Sequence, residues 1–243
     1  MKERLDQALA VRGLARSRAQ ARQLIEQGAI HVNGCPAAKP SQPVSPDDRI
    51  EVLQRPRYVG RAGGKLEAAL AHFHLPVRGG RFLDVGASTG GFTDCLLQHG
   101  AASVVAVDVG HGQMDASLRE DPRVTVHEGV NIRSVPEGLW PPGFEGAVVD
   151  VSFISLTLVL PHVLPWVKTG GWLSALVKPQ FECGPDALDA RGVVRDPAQQ
   201  QQAVSAAVRV LQTLGCKVEE PLPSPVLGGE GSQEYLLAAF RSG

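Results

Sequence analysis

Residues 82–92 read Phe82-Leu83-Asp84-Val85-Gly86-Ala87-Ser88-Thr89-Gly90-Gly91-Phe92, an apolar strand that runs into a glycine-rich turn and on into a helix. In an open α/β sheet, ligands bind beyond the carboxyl ends of the strands, where glycine lets a backbone approach the ligand closely. The spacing is not G-x-G-x-x-G, and no G-K-[ST] follows to hold phosphate, so phosphate is not the obvious ligand. The next apolar run, Val104-Val105-Ala106-Val107, closes on Asp108, at the place where an acidic residue accepts hydrogen bonds from ribose hydroxyls. A tight turn with a capping aspartate would account for the glycines alone. Joined to Asp84 and Asp108, they point to a methionine-linked nucleoside.

Outward from this loop, apolar strands alternate with longer helices from Arg61 onward. The strands are expected at Arg81–Val85, Ser103–Val107, Val124–His127, Gly146–Val149, Trp172–Val177 and Tyr235–Phe240, and the helices near 64–73, 91–98, 154–166 and 197–213. Such alternation builds a doubly wound α/β sheet. Ahead of it, Leu5, Leu9 and Val11 fall at helical spacing and Gly13 ends that helix. Ser17 is placed to cap a second helix, running to Gln27 and stopped by Gly28. Ile30-His31-Val32 and Ile50-Glu51-Val52 read as short alternating strands around a Pro/Ser/Asp-rich connection, after which Arg55-Pro56-Arg57 breaks the chain. The expected organisation is a small α+β domain at 1–55, a linker at 56–60 and a larger domain at 61–243.

The 243 residues are 43% hydrophobic, enough for one large core and a small second one. A net charge of -1 conceals an asymmetry: residues 1–60 carry 10 Lys and Arg against 6 Asp and Glu, leaving 14 against 19 for the rest. A basic head on an acidic body suits a polyanion grip. Cys35, Cys95, Cys183 and Cys216 show neither C-x-x-C nor zinc-finger spacing. Neither a disulfide framework nor a metal is therefore expected, and the cytosol is the natural compartment. Residues 1–28 lack the apolar core and cleavage site of a secretory signal. The most apolar stretch, Val151–Val167, is interrupted by Pro161, His162 and Pro165. It falls short of the roughly 20 residues that span a bilayer, and no membrane partner is expected.

Residues 4–53 resemble the S4 RNA-binding fold through Arg4-Leu5-Asp6, Gly13-Leu14-Ala15-Arg16-Ser17-Arg18, Ala21-Arg22, and Val32-Asn33-Gly34 followed by Lys39-Pro40. Residues 61–240 resemble the methyltransferase of the TlyA group, related to the RrmJ/FtsJ ribose methyltransferases. The strings that carry this are Asp84 to Thr93, Val151-Ser152-Phe153-Ile154-Ser155-Leu156 and Leu176-Val177-Lys178-Pro179-Gln180-Phe181-Glu182. The resemblance implies a Rossmann-like methyltransferase sheet carrying an S4-like domain, with S-adenosyl-L-methionine as donor. It also implies 2′-O-methylation of a cytidine in ribosomal RNA within a ribosomal subunit. The cofactor set it implies is Asp84, Gly86, Ala87, Ser88, Thr89, Gly90, Gly91, Phe92, Asp108, Asn131, Asp150 and Phe153. The catalytic set it implies is a Lys-Asp-Lys-Glu group, matched here by Lys65, Asp150, Lys178 and Glu234. A ribose hydroxyl is a very weak acid, so its attack on a methyl sulfonium needs a base aligned with the departing proton. Lys178 serves only while its amine is neutral. A nearby Lys65 would favour that by repulsion, whereas Asp150 and Glu234 oppose it and fix orientation; the residues alone leave the balance open.

Arg18 and Arg22 lie four apart on the second helix with Arg16 just before it, so the three can project to one side. Lys39 joins them from the hairpin connection, and Arg4 completes the set by resemblance. Arg133, beyond a strand end in Val130-Asn131-Ile132-Arg133, is also assigned to RNA by resemblance, and Asn131 to the adenine. Planar guanidinium groups suit phosphate oxygens and give sequence-independent, salt-sensitive affinity. Rival chemistries fit less well. An amino-group methyltransferase wants prolines after the acid, and Asp150-Val151-Ser152-Phe153 has none. A cytosine-carbon methyltransferase needs a nucleophilic cysteine, and the nearest, Cys183, follows Glu182 and not a proline. A catalytically silent rRNA-binding assembly factor stays open, as does a membrane-active haemolysin, a label that members of the family have carried. Only Arg241-Ser242-Gly243 follow the final strand. Shorter members of the family are limited to the large subunit, so 23S rRNA is the expected substrate.

Overall fold

The computed structural model describes residues 2–26, 28–53, 57–136 and 138–243. The expected helix end at Gln27 and the breaker residues Arg55 and Pro56 lie outside the described residues. The chain divides into two units, Met1–Val59 and Gly60–Gly243.

In the first unit β1 (Glu3–Arg4) leads into α1 (Leu5–Val11) and α2 (Arg18–Glu26), followed by β2 (Ile30–Val32), β3 (Cys35–Pro36), β4 (Pro43–Val44) and β5 (Ile50–Val52). Ser17 Oγ accepts the Gln20 amide at 3.2 Å and so starts α2 as expected. β2 pairs antiparallel with β5, Ile30 opposite Val52 and Val32 opposite Ile50. Two pairings lie outside the sequence reading. β1 pairs with β4, and β2 turns back into β3 through Asn33 and Gly34, at φ of 53° and 81°. Two successive positive φ values define the two-residue hairpin turn that Asn-Gly favours. Leu5 and Leu9 of α1, Leu24 and Ile25 of α2, and Ile30 and Val44 of the strands form the core. Each such side chain contributes about 1.5–3 kcal/mol on burial.

The second unit runs α3 (Ala62–His72), β6 (Arg81–Val85), α4 (Gly91–Gln98), β7 (Ser103–Asp108), α5 (Ala116–Arg119), β8 (Val124–Glu128), β9 (Phe144–Val149) and α6 (Leu156–Val163). It continues with β10 (Val167–Val177), α7 (Pro179–Glu182), α8 (Pro197–Thr213), β11 (Cys216–Val218), β12 (Leu222–Pro223) and β13 (Tyr235–Arg241). The sheet order is β11-β13-β10-β9-β6-β7-β8, with β12 also on β13. The five strands from β10 to β8 are parallel, and β13 is antiparallel to β10. The parallel strands read as near-continuous apolar runs because both faces are covered. Leu83, Val85, Val105, Val107, Ala147, Val149, Leu173 and Ala175 share a cluster with Val159, Leu160 and Val163 of α6 and Ala207 and Leu211 of α8. Residues of the other parity, such as Phe82 and Trp172, meet at a ring distance of 5.2 Å on the opposite face. There Trp172 Nε1 donates to the carbonyl of Pro76, just past α3.

The expected helix 154–166 is shorter, because Pro161 sits inside α6 and Pro165 lies in the 3-10 turn Leu164–Trp166 that follows. Each proline removes one backbone donor. β10 begins at Val167, five residues before the expected start, with a register shift between Val167 and Trp172 where Gly170 takes φ of 77°. The strand order reverses between β6 and β9, and a crevice opens at their carboxyl ends, the usual ligand position in such sheets.

Candidate active site

β6 ends at Val85 and its carbonyl accepts the Asp150 amide at 2.9 Å, which brings the ends of β6 and β9 together. Gly86, at φ +82°, is required there: a Cβ would stand 2.8 Å from the Asp150 carbonyl carbon. Ser88 takes φ of 47° and directs its amide to Asp108 Oδ2 at 2.8 Å, while the Gly110 amide meets Asp108 Oδ1 at 2.7 Å. The Asp108 carboxylate is thus held by two backbone donors, one from the loop after β6 and one from the loop after β7. Ser88 Oγ also contacts Gln113 Oε1 at 3.0 Å.

These groups border a cavity of about 470 Å³, whose walls include Gly86, Ser88, Asp108, Gln113, Asn131, Asp150 and Phe153. That volume lies within the range of small-molecule sites. The other residues predicted to bind a cofactor, Asp84, Ala87, Thr89, Gly90, Gly91 and Phe92, are not among those that line the cavity. Gly90, at φ +95°, N-caps α4, and a Cβ there would meet Met114 Sδ at 2.6 Å and the Leu118 side chain. Its small size thus serves packing against α5. Asp84 is fully buried at the end of β6 and accepts the Thr93 hydroxyl at 2.6 Å. Burial, with Asp150 and Asp108 nearby, pushes its carboxyl up to about 7. The Asn131 side-chain oxygen is committed to capping the 3-10 turn Ile132–Ser134 through the Arg133 amide, at 3.0 Å, and Arg133 itself is exposed beyond the end of β8.

The four residues of the expected Lys-Asp-Lys-Glu set form two ion pairs at this edge of the sheet. Lys65 Nζ, from the first turns of α3, is 2.5 Å from Glu234 Oε2, and both side chains are buried. Lys178 Nζ is 2.7 Å from Asp150 Oδ1 and 3.0 Å from Ser152 Oγ. Val177 and Tyr235 are the last opposed residues of the β10–β13 ladder. Lys178 and Glu234, one step beyond on each strand, therefore stand at facing positions and bring the two pairs to one place. Each ammonium has its own carboxylate, so Lys65 does not present an uncompensated charge to Lys178.

The loop after β9 and the helix after β10 are clasped to each other. Phe153, 91% exposed and at φ of 64°, lies with its ring 5.0 Å from that of Phe181. Lys178 Nζ is 5.8 Å from the centre of the Phe181 ring. Glu182 accepts the Leu156 amide at 2.7 Å and the Ser155 hydroxyl at 2.5 Å, and burial pushes its carboxyl up. Sequence reading did not single out Ser152, Gln113, Phe181 or Glu182. The motifs Val151–Leu156 and Leu176–Glu182 were its only signal for three of them.

The FtsJ-like methyltransferase family matches residues 58–241, and the S4 domain matches residues 3–50. The chain belongs to the FtsJ-like methyltransferase family. A relative from Mycobacterium tuberculosis, the 16S/23S rRNA (cytidine-2′-O)-methyltransferase TlyA, is 45% identical over 96% of this chain and 88% of its own. The 23S rRNA (cytidine-2′-O)-methyltransferase TlyA of Campylobacter jejuni is 30% identical over 90% of this chain and 92% of its own. A solved structure described as a hemolysin from Streptococcus thermophilus superposes with a TM-score of 0.78 at 38% identity, covering 99% of this chain and 89% of that one. As an FtsJ-like methyltransferase the chain takes its methyl group from S-adenosyl-L-methionine. The crevice fits that cofactor, with a glycine turn, an anchored acidic residue and mostly apolar walls. Among the described residues no helix is long and apolar enough to cross a membrane.

In the S4 domain of this FtsJ-like methyltransferase, the arginines expected to reach phosphate first meet a carboxylate. Arg4 Nε and Nη2 reach Asp6 Oδ1 and Oδ2 at 2.9 and 3.2 Å. Arg18 Nη2 reaches Oδ2 at 3.0 Å, and Arg22 Nε reaches the same oxygen at 3.2 Å. Asp6 is fully buried, and the three guanidiniums hold its carboxyl well below the usual range. Arg16 is exposed just before α2, its amide meeting Gln20 Oε1 at 2.6 Å. Lys39 is exposed next to Pro40, whose carbonyl accepts the Asp6 amide at 3.0 Å.

Proposed function

We propose that this protein transfers the S-adenosyl-L-methionine methyl group to the 2′-hydroxyl of a cytidine in 23S ribosomal RNA. The observation that carries the reading is the double ion pair, Lys65–Glu234 and Lys178–Asp150, set at the carboxyl edge of the sheet beside the cavity. The two rRNA-modifying relatives share 23S rRNA in their names and differ over 16S.

The cofactor supplies a methyl group on a positively charged sulfur. Gly86, Ser88, Asp108 and Asn131 would hold it, with Asp108 as the acceptor for ribose hydroxyls and Asp150 and Phe153 lining the same cavity. At the 2′-oxygen the Lys178–Asp150 pair would take up the hydroxyl proton, Asp150 accepting the one that Lys178 gives up across 2.7 Å, so that the oxygen is free to receive the methyl group. Ser152 steers Lys178 Nζ, and the buried Lys65–Glu234 pair fixes the floor on which Lys178 sits. A preorganised charge pair of this kind costs no reorganisation at the moment of transfer. The exposed Phe153 ring, backed by Phe181, offers an apolar face at the rim for a base splayed out of its stack. Arg4, Arg16, Arg18, Arg22 and Lys39 of the S4 domain grip phosphates, and Arg133 adds a contact near the site. The RNA is met within a ribosomal subunit, in the cytoplasm. Incubation with labelled cofactor and unmethylated rRNA, followed by nucleoside mass spectrometry, tests the reading through the appearance of 2′-O-methylcytidine.

A further inference from the structure

Charge counting says that an acidic residue inside an RNA-binding patch weakens the patch. Asp6 sits at the centre of one, yet its geometry argues the reverse. Its two oxygens take four N–H contacts from Arg4, Arg18 and Arg22, at 2.9 to 3.2 Å. The side chain is fully buried, whereas those of the three arginines are 43%, 49% and 53% exposed. A guanidinium has five N–H donors in a fixed fork, and Asp6 uses at most two of each. Each arginine is therefore tied by one edge and directs the rest of its fork outward. Arg18 and Arg22 share one face of α2, but Arg4 comes from β1, and Asp6 is the acceptor that joins all three. A long side chain free in solution loses rotamer entropy when it is fixed on a ligand, a loss already taken where the side chain is held in place beforehand.

We propose that Asp6 is the positioning residue of the RNA grip: a buried carboxylate that preorders Arg4, Arg18 and Arg22 as one cationic plate of net charge +2. The inference rests on the reading of these arginines as phosphate contacts. Removing the negative charge should therefore weaken RNA binding although it makes the patch more positive.

The full-length chain is titrated with an rRNA fragment across a range of salt, as wild type, Asp6→Asn, Asp6→Glu and the double variant Arg18→Ala/Arg22→Ala. Asp6→Asn keeps the shape and one acceptor, and Asp6→Glu keeps the charge but displaces it by one methylene. Both are expected to bind about tenfold more weakly, with the slope of log affinity against log salt reduced by about 1 or more, the signature of lost phosphate contacts. NMR supplies a readout that a merely destabilised domain would not give. The Nε–H signals of Arg4 and Arg22, slow to exchange in the wild type, are lost in Asp6→Asn while the backbone amides of α1 and α2 stay protected. If Asp6→Asn folds and binds as tightly as wild type, or more tightly, the proposal is overturned. If Asp6→Asn does not fold, Asp6→Glu decides: binding as in the wild type with a folded chain overturns the proposal equally. If the double arginine variant also binds normally, the arginine grip itself is at fault, a result distinct from the failure of Asp6 alone.

Discussion

Replacing Asp84 by Asn separates the electrical cost of burying this carboxyl from everything else it does. Asparagine keeps the size and the oxygen that accepts the Thr93 hydroxyl at 2.6 Å, and removes only the ability to ionise. The folded carboxyl is pushed from its ordinary 3.8 up to about 7 by burial and by Asp150 and Asp108. Between those two values the unfolded chain has released the proton and the folded chain has kept it. The folded state then binds more protons, and stability falls as pH rises. About three pH units at 1.36 kcal/mol each gives an upper bound of about 4 kcal/mol, appearing from about pH 4 and complete above about pH 7. All three tryptophans, Trp140, Trp166 and Trp172, lie in the second unit, so urea unfolding followed by their fluorescence reads this unit. Relative to wild type, Asp84→Asn should gain stability steadily between pH 4 and pH 7, whatever constant offset the amide introduces. Two stability curves that stay parallel to within about 1 kcal/mol over that range would refute the reasoning.

Lys178→Ala should leave cofactor affinity within a few fold by calorimetry while removing methyl transfer, because the Lys178–Asp150 pair works in the transition state; substantial residual transfer would transfer the role elsewhere. Asp108→Ala should abolish measurable cofactor binding, since it removes the ribose acceptor and frees the Ser88 and Gly110 amides that the carboxylate holds at 2.8 and 2.7 Å. Phe153→Ala should cost about 1–3 kcal/mol, read as a fall in kcat/KM for RNA with normal folding. An unchanged kcat/KM would mean that the exposed ring does not meet a base.

Much of this was legible beforehand, because the parallel strands are buried on both faces and their apolar runs are unbroken. β6, flanked by Gly80 and Gly86, was expected with the bounds it has, and of the glycine turn only Gly86 and Ser88 line the cavity, together with Asp108. What was missed has local causes. β10 starts early because Lys168-Thr169-Gly170-Gly171 reads as a turn, although the strand passes through it with a register shift. The β2–β3 hairpin was announced by Asn33-Gly34, but Cys35-Pro36 is too short to show alternation. Gly90 looked like a point of ligand approach, whereas only the fold reveals Met114 and Leu118 against it. The pairing within the lysine and carboxylate set depends on strand register across 169 residues, and the capture of three arginines by Asp6 on burial. No spacing in one dimension carries either.

The most direct measurement incubates the purified protein and S-adenosyl-L-methionine with unmethylated large and small ribosomal subunits, separately, and maps the methylated nucleosides by mass spectrometry. The account predicts 2′-O-methylcytidine in 23S rRNA, formed by wild type and absent with Lys178→Ala. Methylation on the base, or no methylation of 23S rRNA by a protein that binds both cofactor and RNA, would contradict it.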